Sequence, residues 1–193
     1  MSTIAIDSAT DALIVVDVQN DFCPGGALAV PSGDDVVPPI NRLLEHDWLT
    51  VATKDWHPAD HCSFEPRGGP WPPHCVQDTA GAELHPELNA AKIQLVITKG
   101  THPEHEAYSG FQGTELARIL REKGVKRVAV CGIATDYCVR ATAQDALQEG
   151  FEVLVLEDAI RGVEVHPGDC QRALEELRQA GAQMIVSAGL SFN

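Results

Sequence analysis

The sequence predicts an α/β fold in which helices cover both faces of a parallel sheet. Short runs rich in β-branched residues alternate along the chain with amphipathic segments, as in proteins whose parallel strands are joined by helical crossovers. The runs are continuously apolar, which indicates strands that are buried on both faces. Six strands are predicted in this way, at residues 13–18, 49–53, 94–98, 127–131, 152–156 and 183–186.

Four helices are predicted between these strands from apolar residues spaced three and four positions apart. Gly124, Gly150 and Gly181 follow the last three of these segments and are typical residues for ending a helix. The helical spacing is carried by four groups: Val36, Ile40, Leu43 and Leu44; Leu116, Ile119 and Leu120; Val139, Ala143, Ala146 and Leu147; and Cys170, Ala173, Leu174 and Leu177.

Residues 55–91 interrupt this alternation. The segment is rich in proline, holds four of the eight histidines and has no clear apolar period. Loops of this length inside compact domains are usually functional. We therefore expect this segment to contribute to a binding or catalytic site.

Length and charge limit what the protein does. The 193 residues are long enough to bury a substantial core, and one domain spanning residues 1–193 is expected. The formal net charge is −14, and no basic patch is present, so nucleic acids and anionic membranes are not expected as partners. No apolar stretch approaches the ~20 residues that a membrane span needs.

The cysteines indicate a reducing compartment. Their spacing shows no tight disulfide framework, and no charged leader with an apolar core and a cleavage site precedes Thr10. We therefore expect reduced thiols and a cytoplasmic protein. The six cysteines are Cys23, Cys62, Cys75, Cys131, Cys138 and Cys170.

Polar residues follow three of the predicted strands. Asp17 ends the first strand, Lys99 ends the third, and the fourth leads through Gly132 to Cys138. Ligands of open parallel sheets bind outside the carboxyl ends of the strands, where these residues meet. Taken singly, Asp17 could cap a loop and Lys99 could be a solvated strand end. Together on one edge, the three residues predict a catalytic acid, base and thiol.

Cys138 is the best candidate for a nucleophile. It follows a glycine break at the start of a predicted helix, where unpaired N–H groups and the helix dipole favour a thiolate. We therefore expect its thiolate to be favoured near neutral pH. The alternative is a small buried apolar residue, which describes most single cysteines.

The segment after the second strand has the residue types of a metal site. Asp55 and His57 point the same way on an extended chain, and His74 can complete a set of three ligands. Carboxylate and imidazole ligands suit zinc, iron(II) or manganese(II). His61 could be a fourth ligand or could orient a ligand from outside the set. Ordinary hydrogen-bonding loop histidines are the alternative.

The chain also resembles a known family. Matching segments occur along most of its length, and they include both the metal motif and the loop after Lys99. On these segments the chain is similar to the nicotinamidases, also called pyrazinamidases, of the isochorismatase-like cysteine hydrolases. The segments are DVQNDF at 17–22, TKDWHP at 53–58, WPPHCV at 71–76, TKG at 98–100, YSGF at 108–111 and GIATDYC at 132–138.

The resemblance implies a complete fold. It is a three-layer α/β/α arrangement with a doubly wound six-stranded parallel sheet in the order 3-2-1-4-5-6 and a long metal-binding loop after strand 2. This order starts Lys99 roughly 10 Å from Asp17, so that the lysine side chain must reach inward. A cis peptide bond before Ala134 is also implied.

The resemblance assigns roles as well. It implies catalytic Asp17, Lys99 and Cys138, and one divalent metal ion, zinc first with iron or manganese as alternatives, at the donors described above. The implied reaction converts nicotinamide to nicotinate and ammonia through a cysteine thioester in NAD salvage, with pyrazinamide as a second substrate. Backbone N–H groups of Ala134 and Cys138 would form the oxyanion hole. The implied substrate walls are Phe22, Trp71 and Tyr108.

Three other functions remain open from the sequence. A related amidase would act on a carbamoyl or ureido substrate without a ring-binding metal. A metal-hydroxide hydrolase would use the ion directly and leave Cys138 as a bystander. A flavodoxin-like binding module would show no turnover. The sequence also leaves open a homo-oligomer and whether residues 101–106, with His102 and His105, form a lid or a solvated loop.

Overall fold

A six-stranded parallel sheet lies at the centre of the protein in a computed structural model that describes residues 3–192. The strand order is β4-β3-β2-β5-β6-β7, which confirms the predicted arrangement. The strands are β2 (Asp11–Val16), β3 (Leu49–Asp55), β4 (Leu95–Lys99), β5 (Arg127–Ile133), β6 (Glu152–Arg161) and β7 (Gln183–Ile185).

A second sheet was not predicted. It pairs β1 (Ile4–Ile6) in parallel with β8 (Leu190–Phe192). Neither strand is buried on both faces, so the apolar pattern that indicated the central strands does not apply to them. The first predicted strand was also too long at its carboxyl end. The strand ends at Val16 because Asp17 has a left-handed φ of 48°.

Helices lie on both faces of the six-stranded sheet, as predicted. Leu13 and Val15 of β2 face a core shared with α1, while Ile14 and Val16 face a second core shared with the other helices. The continuous apolar pattern of β2 follows from this burial on both faces. The helices are α1 (Val37–Leu44), α2 (Leu116–Glu122), α3 (Arg140–Gln148) and α4 (Asp169–Ala180).

The segment between β3 and β4 has little regular structure, as predicted. It contains three short 3-10 turns, Glu65–Arg67, Ala80–Ala82 and Ala90–Lys92. An isolated bridge from Leu84 to Gln19 joins it to the residues that follow β2, and a second, from His57 to Val76, lies within the segment. Among residues 3–192, no helix combines the length and apolar character needed to cross a membrane.

Candidate active site

The Lys99 side chain joins the ends of three neighbouring strands. Its Nζ lies 2.5 Å from Asp55 Oδ1 and 2.9 Å from Asp17 Oδ2, and the side chain is fully buried. Lys99 is the last residue of the edge strand β4, and its long side chain reaches inward across β3 to Asp17. The Lys99 side chain therefore reaches inward to Asp17, as the strand order led us to expect.

The same ammonium group also faces Cys138. Nζ lies 3.5 Å from Cys138 Sγ and 3.1 Å from the carbonyl oxygen of Ala107. Cys138 Sγ in turn lies within 4.8 Å of carboxylate oxygens of both Asp17 and Asp55. The structure thus brings the three predicted catalytic residues into one buried cluster.

The two oxygens of Asp17 have different surroundings. Oδ1 accepts a 2.6 Å hydrogen bond from the hydroxyl of Thr53. Oδ2 accepts no hydrogen bond within residues 3–192, because Lys99 Nζ approaches it at ion-pair distance but off the hydrogen-bonding direction. Oδ2 is therefore the oxygen without a hydrogen-bond donor, and it faces the Lys99 ammonium group.

Cys138 lies on a π-helical turn, Thr135–Val139, that joins β5 to α3. The peptide bond between Ile133 and Ala134 is cis, as the resemblance implied. Cys138 is the fourth residue of this turn and therefore lies in the first helical turn after β5, where the sequence predicted it. The expected thiolate, however, is not favoured here. Burial raises the pKa of the Cys138 thiol well above its ordinary value, and the opposing effect of Lys99 is smaller.

The pKa values of the two carboxyl groups in the cluster shift in opposite directions. Burial raises the pKa of Asp17, although Lys99 and Thr53 oppose this effect. Burial also acts on Asp55, but Lys99 and His57 hold the pKa of that carboxyl below its usual range. Asp55 and Lys99 therefore form an ion pair, and Asp17 is the carboxylate that takes up a proton more readily.

Three residues of this region fit a metal ion. Donor atoms of Asp55, His57 and His74 lie within 4.8 Å of one another. His57 Nδ1 lies 2.9 Å from the carbonyl oxygen of Gly100, and His74 Nδ1 lies 2.8 Å from that of Pro72. A neutral ring that donates from Nδ1 carries its lone pair on Nε2. One carboxylate and two imidazole nitrogens are a donor set suited to a divalent transition metal.

Gly100 makes this orientation of His57 possible. Its φ is 60°, and a Cβ atom at this position would lie 2.4 Å from Cε1 of the imidazole. No side chain fits in that space, so the ring can pack directly on the backbone that follows Lys99. The glycine thus connects the metal donors to the strand that supplies the lysine.

His61 has a different environment from the three donors. Its Nδ1 lies 2.7 Å from the hydroxyl of Ser63, its Nε2 lies 3.1 Å from the carbonyl oxygen of His105, and its ring stacks on His57. Both ring nitrogens are therefore engaged. This arrangement fits the second of its two predicted roles, which is to orient a metal ligand. Donor atoms of His57, His61 and Glu106 also lie within 4.8 Å of one another.

A pocket opens between Cys138 and the metal donors. The predicted wall residues Phe22, Trp71 and Tyr108 all line it, as do Asp55, His74, Ala134 and Cys138. Leu28, Tyr137 and Val163 also line it and were not identified from the sequence. Leu28 and Val163 lie outside the regular elements, so no periodic pattern marked them.

Polar residues that support the site were also missed. Gln19 is fully buried and donates to the carbonyl oxygens of Asp55 and Ala82, while its own oxygen accepts the N–H of Asp55. Asp136 accepts the N–H groups of Val163 and Glu164, which fixes a pocket wall beside the Cys138 turn. A polar residue within a few positions of a strand end is the sequence signal that could have revealed them.

Known proteins resemble this chain over most of its length. A family model described as the Isochorismatase domain matches residues 11–188. The nicotinamidase of Escherichia coli (strain K12) is 43% identical, over 92% of this chain and 95% of its own length.

Two solved structures are similar as well. Pyrazinamidase of Pyrococcus horikoshii in complex with zinc is 54% identical, with a TM-score of 0.83 over 91% of this chain and 98% of that chain. PnC1 from L. infantum in complex with nicotinate is 41% identical, with a TM-score of 0.95 over 99% of this chain and 100% of that chain. The residues matched by the family model, 11–188, include the ends of strands β2 to β5, which carry the site.

Proposed function

This chain belongs to the isochorismatase-domain family, and from that premise we propose that it acts as a nicotinamidase, hydrolysing nicotinamide to nicotinate and ammonia. One observation carries the proposal: a single pocket is lined by both the thiol of Cys138 and the metal donors Asp55 and His74. A pyridine carboxamide has one group for each, because its ring nitrogen can bind an ion while its carbonyl carbon meets a nucleophile. A carbamoyl or ureido substrate offers no ring nitrogen.

Acylation begins with a proton transfer from Cys138 to Asp17. Asp17 Oδ2 is free to accept this proton, and Lys99 stabilises the negative charge that moves between the two groups. The sulfur then attacks the amide carbon, and the backbone N–H groups of Ala134 and Cys138 receive the charge on the oxygen. Asp17 returns the proton to the leaving nitrogen, so that ammonia departs and a thioester remains.

Deacylation uses the same residues. Asp17 takes a proton from water, the resulting hydroxide attacks the thioester carbon, and the carbon–sulfur bond breaks. The proton returns to the Cys138 sulfur as nicotinate leaves. Aromatic walls at Phe22, Trp71 and Tyr108 hold the ring throughout.

Asp55, His57 and His74 would hold one divalent metal ion, with His61 supporting His57. When bound, such an ion supplies a Lewis acid that binds the pyridine nitrogen and orients the ring. We propose zinc, supported by the zinc complex of the Pyrococcus horikoshii relative, with iron and manganese as alternatives. That relative is a pyrazinamidase, which supports pyrazinamide as a second substrate, and a role in NAD salvage is part of the proposal.

Metal removal tests the ring-binding role. Chelation is expected to lower the rate of ammonia release from nicotinamide at least about tenfold, and zinc add-back should restore it. His74→Ala should lose bound zinc by elemental analysis, whereas His85→Ala, in the same long segment but outside the donor set, should retain it. Full activity in protein shown to contain no metal would contradict the proposed role.

The hydrogen bond between two pocket walls offers a test of substrate binding. Trp71 Nε1 donates to the hydroxyl of Tyr108 at 3.0 Å. Tyr108→Phe removes this bond and is expected to raise KM for nicotinamide roughly 2- to 10-fold with little change in kcat, since one such bond contributes about 0.5–1.5 kcal/mol. Tyr137→Phe is the matched control, because the Tyr137 ring contacts the same two aromatic residues through ring packing. Equal KM values for wild type and Tyr108→Phe would show that the bond does not shape the pocket.

A further inference from the structure

Thr53 is the side-chain hydrogen-bond donor to Asp17 within residues 3–192. It lies in β3 directly opposite Val16 of β2, and its hydroxyl donates to Asp17 Oδ1 at 2.6 Å. The backbone N–H of Asp17 returns the contact, because it lies 3.2 Å from the Thr53 carbonyl oxygen and 3.3 Å from Oγ1. Backbone and side chain of Asp17 are therefore both held by one residue of the neighbouring strand.

The orientation of the Thr53 side chain is itself fixed. Thr53 is fully buried, and its methyl group packs against Gly110, where an added Cβ would lie only 2.7 Å from Cγ2. A β-branched side chain has few χ1 choices, and this packing leaves the hydroxyl directed at Asp17. Gly110 belongs to the loop that follows Lys99, so the YSGF segment contributes to the geometry of Asp17 without touching it.

Building on the proposed function, we propose that Thr53 is a positioning residue for Asp17, holding Oδ1 so that Oδ2 is left to exchange the proton with Cys138. Two observations support these different roles for the two oxygens of Asp17. Oδ1 is occupied by the short bond from Thr53, while Oδ2 accepts no hydrogen bond within the described chain. Cys138 Sγ lies within 4.8 Å of a carboxylate oxygen of Asp17.

This role predicts an effect on turnover without an effect on binding. Thr53 does not line the pocket, so its loss should leave KM unchanged. A carboxylate that can rotate presents the wrong oxygen part of the time, and misplacement of a catalytic group by about 1 Å can cost roughly 100-fold. Thr53→Val keeps the shape and removes the hydroxyl. It is expected to lower kcat for nicotinamide about 10- to 100-fold.

The decisive comparison uses three variants of Thr53 and one control variant. Thr53→Ser keeps the hydroxyl and should retain kcat within about threefold of wild type, whereas Thr53→Ala should fall with Thr53→Val. Thr50→Val is the matched control, since Thr50 is buried on the same strand and its hydroxyl binds the Lys92 carbonyl oxygen away from the site. Its kcat should equal that of wild type. If Thr53→Ser and Thr53→Ala have the same kcat, the inference is overturned.

A measurement without substrate separates this inference from the proposed function. The rate at which iodoacetamide alkylates Cys138, followed by mass spectrometry of the peptide that contains it, reports transfer of the thiol proton. We expect this rate to fall in Thr53→Val and Thr53→Ala and to be retained in Thr53→Ser and Thr50→Val. Inactivity of wild type on nicotinamide would remove the proposed function, whereas equal alkylation in all variants would remove the positioning role.

Discussion

Replacement of Cys138 by alanine is expected to lower kcat for nicotinamide by about 10⁴-fold or more, which is the scale found when a nucleophile is removed. The thiol is the group of the buried cluster that can form a covalent bond to the amide carbon, and Asp17 and Lys99 act through it. The fold should be retained, because alanine fits a buried position that a small side chain already occupies. Ammonia release measures the rate, and circular dichroism checks the fold.

Cys131→Ala provides the control for this experiment. Cys131 is buried in β5, seven positions before Cys138, and its sulfur lies 3.6 Å from the carbonyl oxygen of Ile14, outside the pocket. The same atoms are removed, yet kcat should be unchanged. Turnover that persists in Cys138→Ala and depends on metal would indicate metal-hydroxide chemistry and would overturn the assignment of the nucleophile.

Lys99→Met is expected to remove activity and also to destabilise the protein by about 3–5 kcal/mol, the usual cost of breaking a buried ion pair by deleting one partner. The variant keeps much of the side-chain volume but leaves Asp17 and Asp55 without their shared cation. Two carboxylates in a dry environment then repel each other. Urea unfolding, compared with wild type under the same metal conditions, measures the loss.

A second variant tests whether repulsion between the two carboxylates causes the loss of stability. Lys99→Met/Asp17→Asn carries one buried carboxylate fewer and should regain part of the lost stability while staying inactive. Lys92→Met is the control, because Lys92 is half exposed and its 3.6 Å pair with Glu45 lies on the surface. Its effect should stay below about 1 kcal/mol. If Lys99→Met unfolds at the same urea concentration as wild type, the cluster does not carry the charges described for it.

The inner strands β2, β3 and β5 were predictable because burial on both faces makes them largely apolar runs, whereas the edge strands β4 and β7 are partly exposed. The same logic located Asp17 and Lys99, since polar residues interrupt those runs where the strands end. β1 and β8 could not be found in this way, because both are only partly buried and lie outside the central sheet. Their pairing depends on contacts between opposite ends of the chain.

Electrostatic behaviour was less predictable than position. The sequence places Cys138 near a helix start, from which a low thiol pKa follows, but the burial that raises this pKa appears only in three dimensions. Thr53 shows the same limit. Within β3 it has the appearance of an ordinary strand residue, and its hydroxyl gains a role only because β2 places Asp17 beside it.

The cluster around Lys99 draws its members from four adjacent strands, so its assembly depends on the order in which the chain folds. Asp17 and Cys138 lie more than a hundred positions apart, and Lys99 comes from the edge strand β4, which pairs on one side. Contacts so distant in sequence form slowly, because long loops must close before they are made. An intermediate with a collapsed core but a detached β4 would bury most of its apolar surface and yet have no catalytic power. During refolding, the return of enzyme activity should therefore lag behind the return of tryptophan burial. The length of this delay would measure how slowly β4 docks onto the sheet.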